Sequence, residues 1–206
     1  LQGVIDVSGR PSEELTSITQ EQSIPLLGLG KYYEAGVDFN LEGFIRKALT
    51  VVTSRGCRKI AFMAAQYLHP GETSDCDTVI RVMHELNLPV NESWIRTEWH
   101  TSYQGAGWDT FRQIWFSSDK NKPDALILGS AAFGWDLQLA LRDTQLRYPH
   151  DLMIVSAADK GLSPTYTPPP WPRVEANQAR LMSILAEMMH ECLSGKEPIP
   201  RKQYVD

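Results

Sequence analysis

The chain has 206 residues, 42% hydrophobic and 22% charged, which is typical of a globular protein able to bury a substantial core. No apolar run approaches the ~18 residues needed to span a bilayer. The opening LQGVIDVSG also lacks the features of a secretory signal, so we expect a cytoplasmic protein without a membrane partner. The net charge is −5 and the 20 basic residues are scattered along the sequence. The chain itself is therefore a poor candidate for binding DNA, which requires clustered lysine and arginine.

The first part of the chain predicts two strands and two helices. Gly3–Val7 is a short apolar strand, and Ser12 or Ser17 is positioned to cap a polar helix that runs to about Gln22. Ile24–Leu29 is the second apolar strand. The next helix begins at Asp38 or Asn40, ends at Gly56 and carries on one face Phe44, Ala48, Val51 and Val52.

The middle of the chain continues the alternation. Lys59–Met63 is a strand, Glu92–Glu98 is another, and Gly107–Phe116 is a short helix. Between the two strands a helix is expected to face inward with Cys76, Ile80, Met83 and Leu86. The three cysteines are odd in number and form no CxxC pair, so no disulfide framework or zinc site is expected.

The most informative stretch runs from Lys122 to Asp159. It predicts an apolar strand at Asp124–Leu128, a helix, and a second strand at Leu152–Val155. Such a unit is a right-handed parallel crossover, and in open α/β sheets ligands bind outside the carboxyl ends of the strands. We therefore expect function at Gly129–Phe133 and Ser156–Lys160.

The last part of the chain is a proline-rich passage followed by one long helix. PTYTPPPWPR is not compatible with regular structure. The helix that follows ends at Gly195 and shows a strong amphipathic pattern at Leu181, Ile184, Leu185, Met188, Met189 and Cys192. Alternating strands and helices predict an α/β fold with a mainly parallel sheet.

A search for catalytic motifs is negative. The sequence holds no Walker loop, GxGxxG, HExxH or GxSxG, and its five histidines share no metal-ligand spacing. We therefore expect no enzyme, no metal and no cofactor. Six tryptophans are more informative, since aromatic rings stack on sugars and nucleobases. Trp99 and Trp135 follow predicted strand ends and could line a cleft, although structural packing accounts for each equally well.

In their order and spacing, the motifs resemble the effector-binding domain of LacI/GalR-family transcriptional regulators. GVIDVSG and SIPLLGLG are similar to the "dGiI" and "iPvV" strands of that family, and SRGCRKIAFMA is similar to its "GHrxIaxi" segment. The stretch PDALILGSAAFGWDLQLALRDTQLRYPHDLMIVSAAD resembles "PdAifasND…AlGalraLrexGlrvPeDisVvGfDD", and LSGKEPIP is similar to the family's ending.

The resemblance implies a two-lobed, type I periplasmic-binding-protein-like fold with parallel sheets flanked by helices. The N-terminal lobe would comprise residues 1–57 and 171–196, and the C-terminal lobe residues 58–170 and 197–206. By this resemblance the chain would begin at the third strand of the first lobe, so we expect that lobe to be incomplete. Operator DNA would be bound through an N-terminal helix-turn-helix that is absent here, and the protein would be a homodimer.

The binding residues implied by the resemblance differ from the family's pattern. Ser130-Ala131 stands where the family has Asn-Asp, and Ala158-Asp159 retains one acid of an aspartate pair. A family arginine is replaced near Asp77 or Thr78. Each lost partner of a buried sugar hydroxyl costs ~1.5–3 kcal/mol, so we expect an unusual effector or a sensor that has lost simple sugar binding.

Three functional hypotheses follow. The first is a module that senses a small molecule, a sugar or related metabolite, between two lobes and signals to an attached DNA-binding head. The second is a periplasmic or surface solute-binding protein of the same fold, and the third is an enzyme. For the first, Ser130 and Asp159 are the predicted polar clamps, Asp77 is a contact from a helix, and Trp99 and Trp135 are apolar walls. Alternatively, Ser130 only ends a strand, Asp159 caps a turn and Asp77 is solvated.

Overall fold

The computed structural model describes residues 1–64, 75–97, 105–117, 121–160, 171–195 and 202–205. These form two compact units, one comprising Leu1–Asn40 with Ala176–Asp206 and the other Leu41–Glu175. The prediction of an α/β fold built from parallel sheets flanked by helices is confirmed.

The first unit is a four-stranded sheet with helices. Its strands are β1 (Val4–Asp6), β2 (Leu26–Leu29), β3 (Gly36–Phe39) and β9 (Lys202–Val205), in the order β1-β2-β3-β9 with parallel pairing throughout. Helix α1 (Glu13–Glu21) connects β1 to β2, and helix α6 (Gln178–Leu193) packs on β2 and β3. The predicted stripe of α6 is confirmed, because its five buried residues are Leu181, Ile184, Leu185, Met188 and Met189.

The second unit is a five-stranded sheet in the order β5-β4-β6-β7-β8. These strands are β4 (Ile60–Met63), β5 (Ile95–Arg96), β6 (Ala125–Leu128), β7 (Met153–Asp159) and β8 (Arg173–Ala176). The helices of this unit are α2 (Leu41–Thr53), α3 (Asp75–Glu85), α4 (Ala106–Phe116) and α5 (Gly134–Asp143). Every residue of β4 and β6 is buried, as expected for central parallel strands covered on both faces.

The boundaries of the two units differ from those predicted for the lobes. Helix α2 packs against α3, β6 and β7, so it belongs to the second unit. The prediction had instead included it in the N-terminal lobe, as part of residues 1–57. Strand β9 pairs with β3, which places residues 197–206 in the first unit. The first difference arises because α2, with Phe44 and Ala48 buried, packs on two strands of the second sheet.

Several predicted elements change in extent or orientation. Residues Glu92–Trp94 form a 3₁₀ turn, so the strand expected from Glu92 begins only at Ile95. In α3 the buried residues are Val79, Val82 and Met83, so the prediction is confirmed for Met83. Of the other predicted inward residues, Cys76 and Ile80 are half-buried and Leu86 is 43% exposed. Strand β7 continues through Ser156 to Asp159, beyond the expected end at Val155.

Candidate functional site

The carboxyl ends of three adjacent strands of the second unit meet at one edge of its sheet. In the parallel register, Leu128 of β6 lies beside Met63 of β4 on one side and beside Ser156 of β7 on the other. Residues that follow these positions in each strand therefore share that edge, which we call the carboxyl edge. It is the position where ligands bind in open α/β sheets.

Ser130 and Asp159 both lie at the carboxyl edge. Ser130 is the second residue after β6, half-buried and extended (φ −126°, ψ 121°), and its carbonyl oxygen accepts the Phe133 N–H at 3.3 Å. Its hydroxyl makes no hydrogen bond to the turn that it opens. Asp159 is the half-buried last residue of β7, the strand adjacent to β6. The two residues thus lie at the carboxyl ends of neighbouring strands.

The start of α3 is held at the end of β5. Thr97, which follows β5 and is 1% exposed, shares a hydrogen bond of 3.0 Å between its Oγ1 and Sγ of Cys76 in the first turn of α3. Asp77 is the next residue along that turn, and it is exposed. The Cys76–Thr97 contact therefore brings the first turn of α3, with Asp77, to the carboxyl end of β5.

The two aromatic candidates have different outcomes. Trp135 lies in the first turn of α5, a few residues beyond Ser130, and 52% of its surface is exposed. Trp99 lies outside the described residues. Among the described tryptophans, the buried ones are instead Trp94 and Trp171, both in the hydrophobic core of the second unit.

A polar cluster in the first unit was not predicted. The Asp6 carboxylate, at the carboxyl end of β1, accepts the Ser8 N–H at 2.9 Å, and the Ser8 and Tyr33 hydroxyls are 3.3 Å apart. Burial raises the pKa of Tyr33 to about 12, and hydrogen bonding to Asp6 adds to this rise. Burial opposes ionisation of Asp6, but hydrogen bonds from Ser8 and Tyr33 lower its pKa overall.

One signal for this cluster was available. The short run Asp6-Val7-Ser8 places small polar residues at a strand end, the same feature that marked Ser130 and Asp159. The participation of Tyr33 depends on a fold of the chain that no local pattern indicates, because the tyrosine is 25 residues from Ser8.

The described residues also bear on metal binding, cysteine chemistry and membrane insertion. Among them, no group of three or more histidine, cysteine or carboxylate side chains is arranged to hold a metal ion. All three cysteines lie in the described residues and carry reduced thiols outside any disulfide. None of the described helices combines the length and apolar character that crossing a membrane requires.

The chain is similar in sequence to a protein family and to a curated relative. Residues 50–206 match the family model described as periplasmic binding protein-like domain. Catabolite control protein A of Staphylococcus epidermidis is 22% identical over 158 residues, which are 75% of this chain and 46% of that protein. The chain thus spans about half the length of this curated relative.

Solved structures share the fold at low sequence identity. A complex of the transcriptional regulator CelR with cellobiose superposes with a TM-score of 0.81 at 17% identity, covering 100% of this chain and 63% of that one. A regulatory protein of the LacI family from Chloroflexus aggregans gives 0.80 at 20% identity, with 100% and 73% covered. Transcription regulator CcpA of Lactococcus lactis gives 0.79 at 13% identity, with 100% and 75% covered.

Proposed function

Since the chain belongs to the periplasmic binding protein-like domain family, we propose that it is the small-molecule-sensing part of a DNA-binding transcriptional regulator. The observation that carries the proposal is the placement of Ser130 and Asp159 at the ends of adjacent parallel strands, at the edge where such sheets bind ligands. The relatives named above are regulators, which favours this role over a solute-binding protein or an enzyme.

The proposed site uses few charged groups. Asp159 supplies a carboxylate that accepts hydrogen bonds, Ser130 supplies a hydroxyl, and Asp77 supplies a second carboxylate from α3. Trp135 and Trp99 would supply flat apolar surfaces for stacking. This combination suits a sugar or related metabolite with several donor groups, and cellobiose is the sugar in the CelR structure.

The proposed mechanism is a population shift. An effector that binds one conformation of the protein more tightly than another shifts the equilibrium by that difference in affinity. In a regulator the shift is passed to a DNA-binding element, and we propose operator DNA and a second copy of the chain as partners. A protein of this kind acts on DNA in the cytoplasm.

A ligand screen with matched variants tests the site. Sugars, sugar acids and nucleobases are screened for an increase in the melting temperature of the 206-residue chain. Any stabilising compound is then titrated against Ser130→Ala, Asp159→Asn and the control Glu187→Gln, whose carboxylate lies on the exposed side of α6. We expect Asp159→Asn to lose about tenfold or more in affinity, because a hydrogen bond to a charged group contributes about 1.5–3 kcal/mol.

Two results would contradict the proposal in different ways. A compound that binds the wild type and both site variants equally would show that Ser130 and Asp159 do not bind the effector. Export of the protein with a leader sequence encoded before Leu1 would favour a solute-binding protein, whereas an encoded helix-turn-helix would support the regulator.

A further inference from the structure

A cavity of about 590 Å³ lies in the first unit, and its described lining residues all belong to that unit. Its walls come from α1, from the start of β2, from the connection between β2 and β3, and from Cys192 near the end of α6. The volume is within the range of small-molecule sites, about 300–1,000 Å³. The site proposed above uses only residues of the second unit, so this cavity is a separate feature.

The face of α1 toward the cavity is polar, contrary to the usual pattern of a packed helix. Thr16, Thr19 and Gln20 line the cavity, and Thr19 is 3% exposed, whereas the apolar Ile18 is 41% exposed. A helix normally turns its apolar side inward. Departures from the expected pattern in natural proteins concentrate at functional or strained sites.

Two threonine hydroxyls of the cavity are placed as hydrogen-bond acceptors. The Thr19 hydroxyl donates to the Leu15 carbonyl oxygen at 2.8 Å, and the Thr16 hydroxyl donates to that of Ser12 at 3.0 Å. Because each hydroxyl hydrogen is used within the helix, the lone pairs of both oxygens remain for a ligand. A ligand rich in donors is therefore favoured.

The electrostatics of the cavity also favour a cation. Among the lining residues that the structure describes, Glu34 is the one charged side chain. The last turn of α1 contains Thr19 and Gln20, and that turn carries no basic residue to offset the negative end of the helix dipole. The ring of Tyr32, which lines the cavity, already binds two cations that lie outside the lining, the Arg10 guanidinium 3.7 Å and the Lys31 ammonium 5.2 Å from its centroid.

We propose that this cavity is a second small-molecule site, and that it takes an organic ammonium ion with an apolar body. Glu34 is the counter-ion, Thr16 and Thr19 accept hydrogen bonds from the ammonium group, and the apolar body lies against Leu26 and the tyrosine rings. Binding there provides an input to the protein that is independent of the carboxyl edge.

Cys192 gives a direct readout because it lines the cavity and is a free, half-buried thiol. In a Cys57→Ser, Cys76→Ser background, its modification by a maleimide is followed with three probes of similar shape: 2-phenylethylammonium, 2-phenylethanol and 3-phenylpropanoate. Calorimetry with the same probes measures affinity. At ten times its Kd, the ammonium probe should slow the modification about tenfold, since about one cavity in eleven stays open.

Two pairs of variants locate the binding. Glu34→Gln should weaken binding of the ammonium probe about two- to fivefold, as expected for an exposed ion pair, and leave the alcohol unaffected, whereas Glu14→Gln on the same unit has no effect. Thr16→Leu, which fills the cavity, should abolish protection, and Ser17→Leu, one residue away and outside the lining, should not. Equal binding of the three probes, protection that survives Thr16→Leu, or no binding of the ammonium probe at millimolar concentration would overturn the proposal.

Discussion

The carboxylate of Asp124 accepts the backbone N–H of Lys59 at 2.9 Å, across 65 residues of sequence. The same carboxylate accepts the Arg58 N–H at 3.0 Å, while the Asp124 N–H donates to the Lys59 carbonyl oxygen at 2.8 Å. One side chain thus joins the start of β6 to the start of β4, the two strands that lead to the proposed effector site. The register of these two strands fixes where Ser130 lies along the carboxyl edge relative to the end of β4.

We expect Asp124→Ala to lower the free energy of unfolding by about 2 kcal/mol, because two backbone donors lose a charged acceptor. Urea denaturation of the variant beside Glu187→Ala, which removes an exposed carboxylate, measures the difference. A variant as stable as the control would show that water replaces the carboxylate at no cost. Asp124→Asn should fall between the two, since its amide keeps one acceptor oxygen.

At Gly28 the absence of a Cβ atom is required for packing. The ring of Tyr33 lies directly over this glycine, and a Cβ built on Gly28 would be 2.0 Å from ring atoms Cγ and Cδ1. Gly28→Ala should therefore destabilise the first unit by about 1–3 kcal/mol or more, the usual cost of overpacking. Hydrogen exchange of the β2 amides, compared between variant and wild type, would locate the loss.

Gly134→Ala is the matched control for this prediction. A Cβ at Gly134 meets nothing within 4 Å, and the residue has helical angles (φ −60°, ψ −38°) at the start of α5. Alanine there should raise stability by roughly 0.5–1 kcal/mol, because glycine loses more conformational freedom on folding. If both substitutions had the same effect, steric contact with Tyr33 would not be the cause.

The elements that the sequence predicted are those with strong local patterns. Helix α6 repeats its apolar residues at helical spacing over three turns, and β6 is a continuous apolar run, so packing and propensity agree. Strand β3 was missed because Gly36-Val37-Asp38-Phe39 has neither pattern, and its extended state depends on pairing with β2 and β9. The predicted end of β7 at Val155 is too early because Ser156–Asp159 are small or polar and do not continue the apolar run.

The candidate site was predictable where it depends on strand ends and not where it depends on side-chain orientation. Ser130 and Asp159 follow apolar runs, and parallel pairing of β6 and β7 then fixes their common edge. The exposure of Trp135 depends on the phase of α5 after the turn at Ala131–Phe133, which the sequence does not define. The contact of Tyr33 with the end of β1 is likewise a tertiary feature.

A ring of four charged side chains joins α2 to α3. Arg46 and Arg81 each bind both Glu42 and Glu85, with an Arg81–Glu42 distance of 2.6 Å and an Arg81–Glu85 distance of 2.7 Å. All four side chains are 40–49% exposed, so salt should screen them effectively. A double-mutant cycle of Glu42→Gln and Arg81→Gln should show favourable coupling at low salt that disappears at about 1 M NaCl, where the Debye length is about 3 Å.

The pH dependence of this ring gives a second test. Hydrogen bonds from the arginines, led by Arg81 for Glu42 and by Arg46 for Glu85, lower the pKa of both glutamates. The stability that they contribute is therefore present above the ordinary glutamate pKa and lost as the pH falls through the lowered values. Coupling that persists in high salt or below these pKa values would mean that the helices are joined by packing rather than by charge.

Asp151 offers a direct measurement of one such pKa. The Arg147 side chain donates to Asp151 at 2.8 and 2.9 Å, and the Arg147 backbone N–H donates at 2.9 Å. These bonds, with the side chain contributing most, lower the pKa of Asp151 to about 2. The stability gained from this pair should therefore be complete above the ordinary aspartate pKa of about 3.9 and lost as the pH falls through about 2.

NMR titration of the Asp151 carboxyl carbon should give a midpoint near 2 in the wild type. Arg147→Gln should move it toward 3.9, while Arg142→Gln on the neighbouring helix α5 should leave it in place. A wild-type midpoint near 3.9 would show that the pair does not persist in solution.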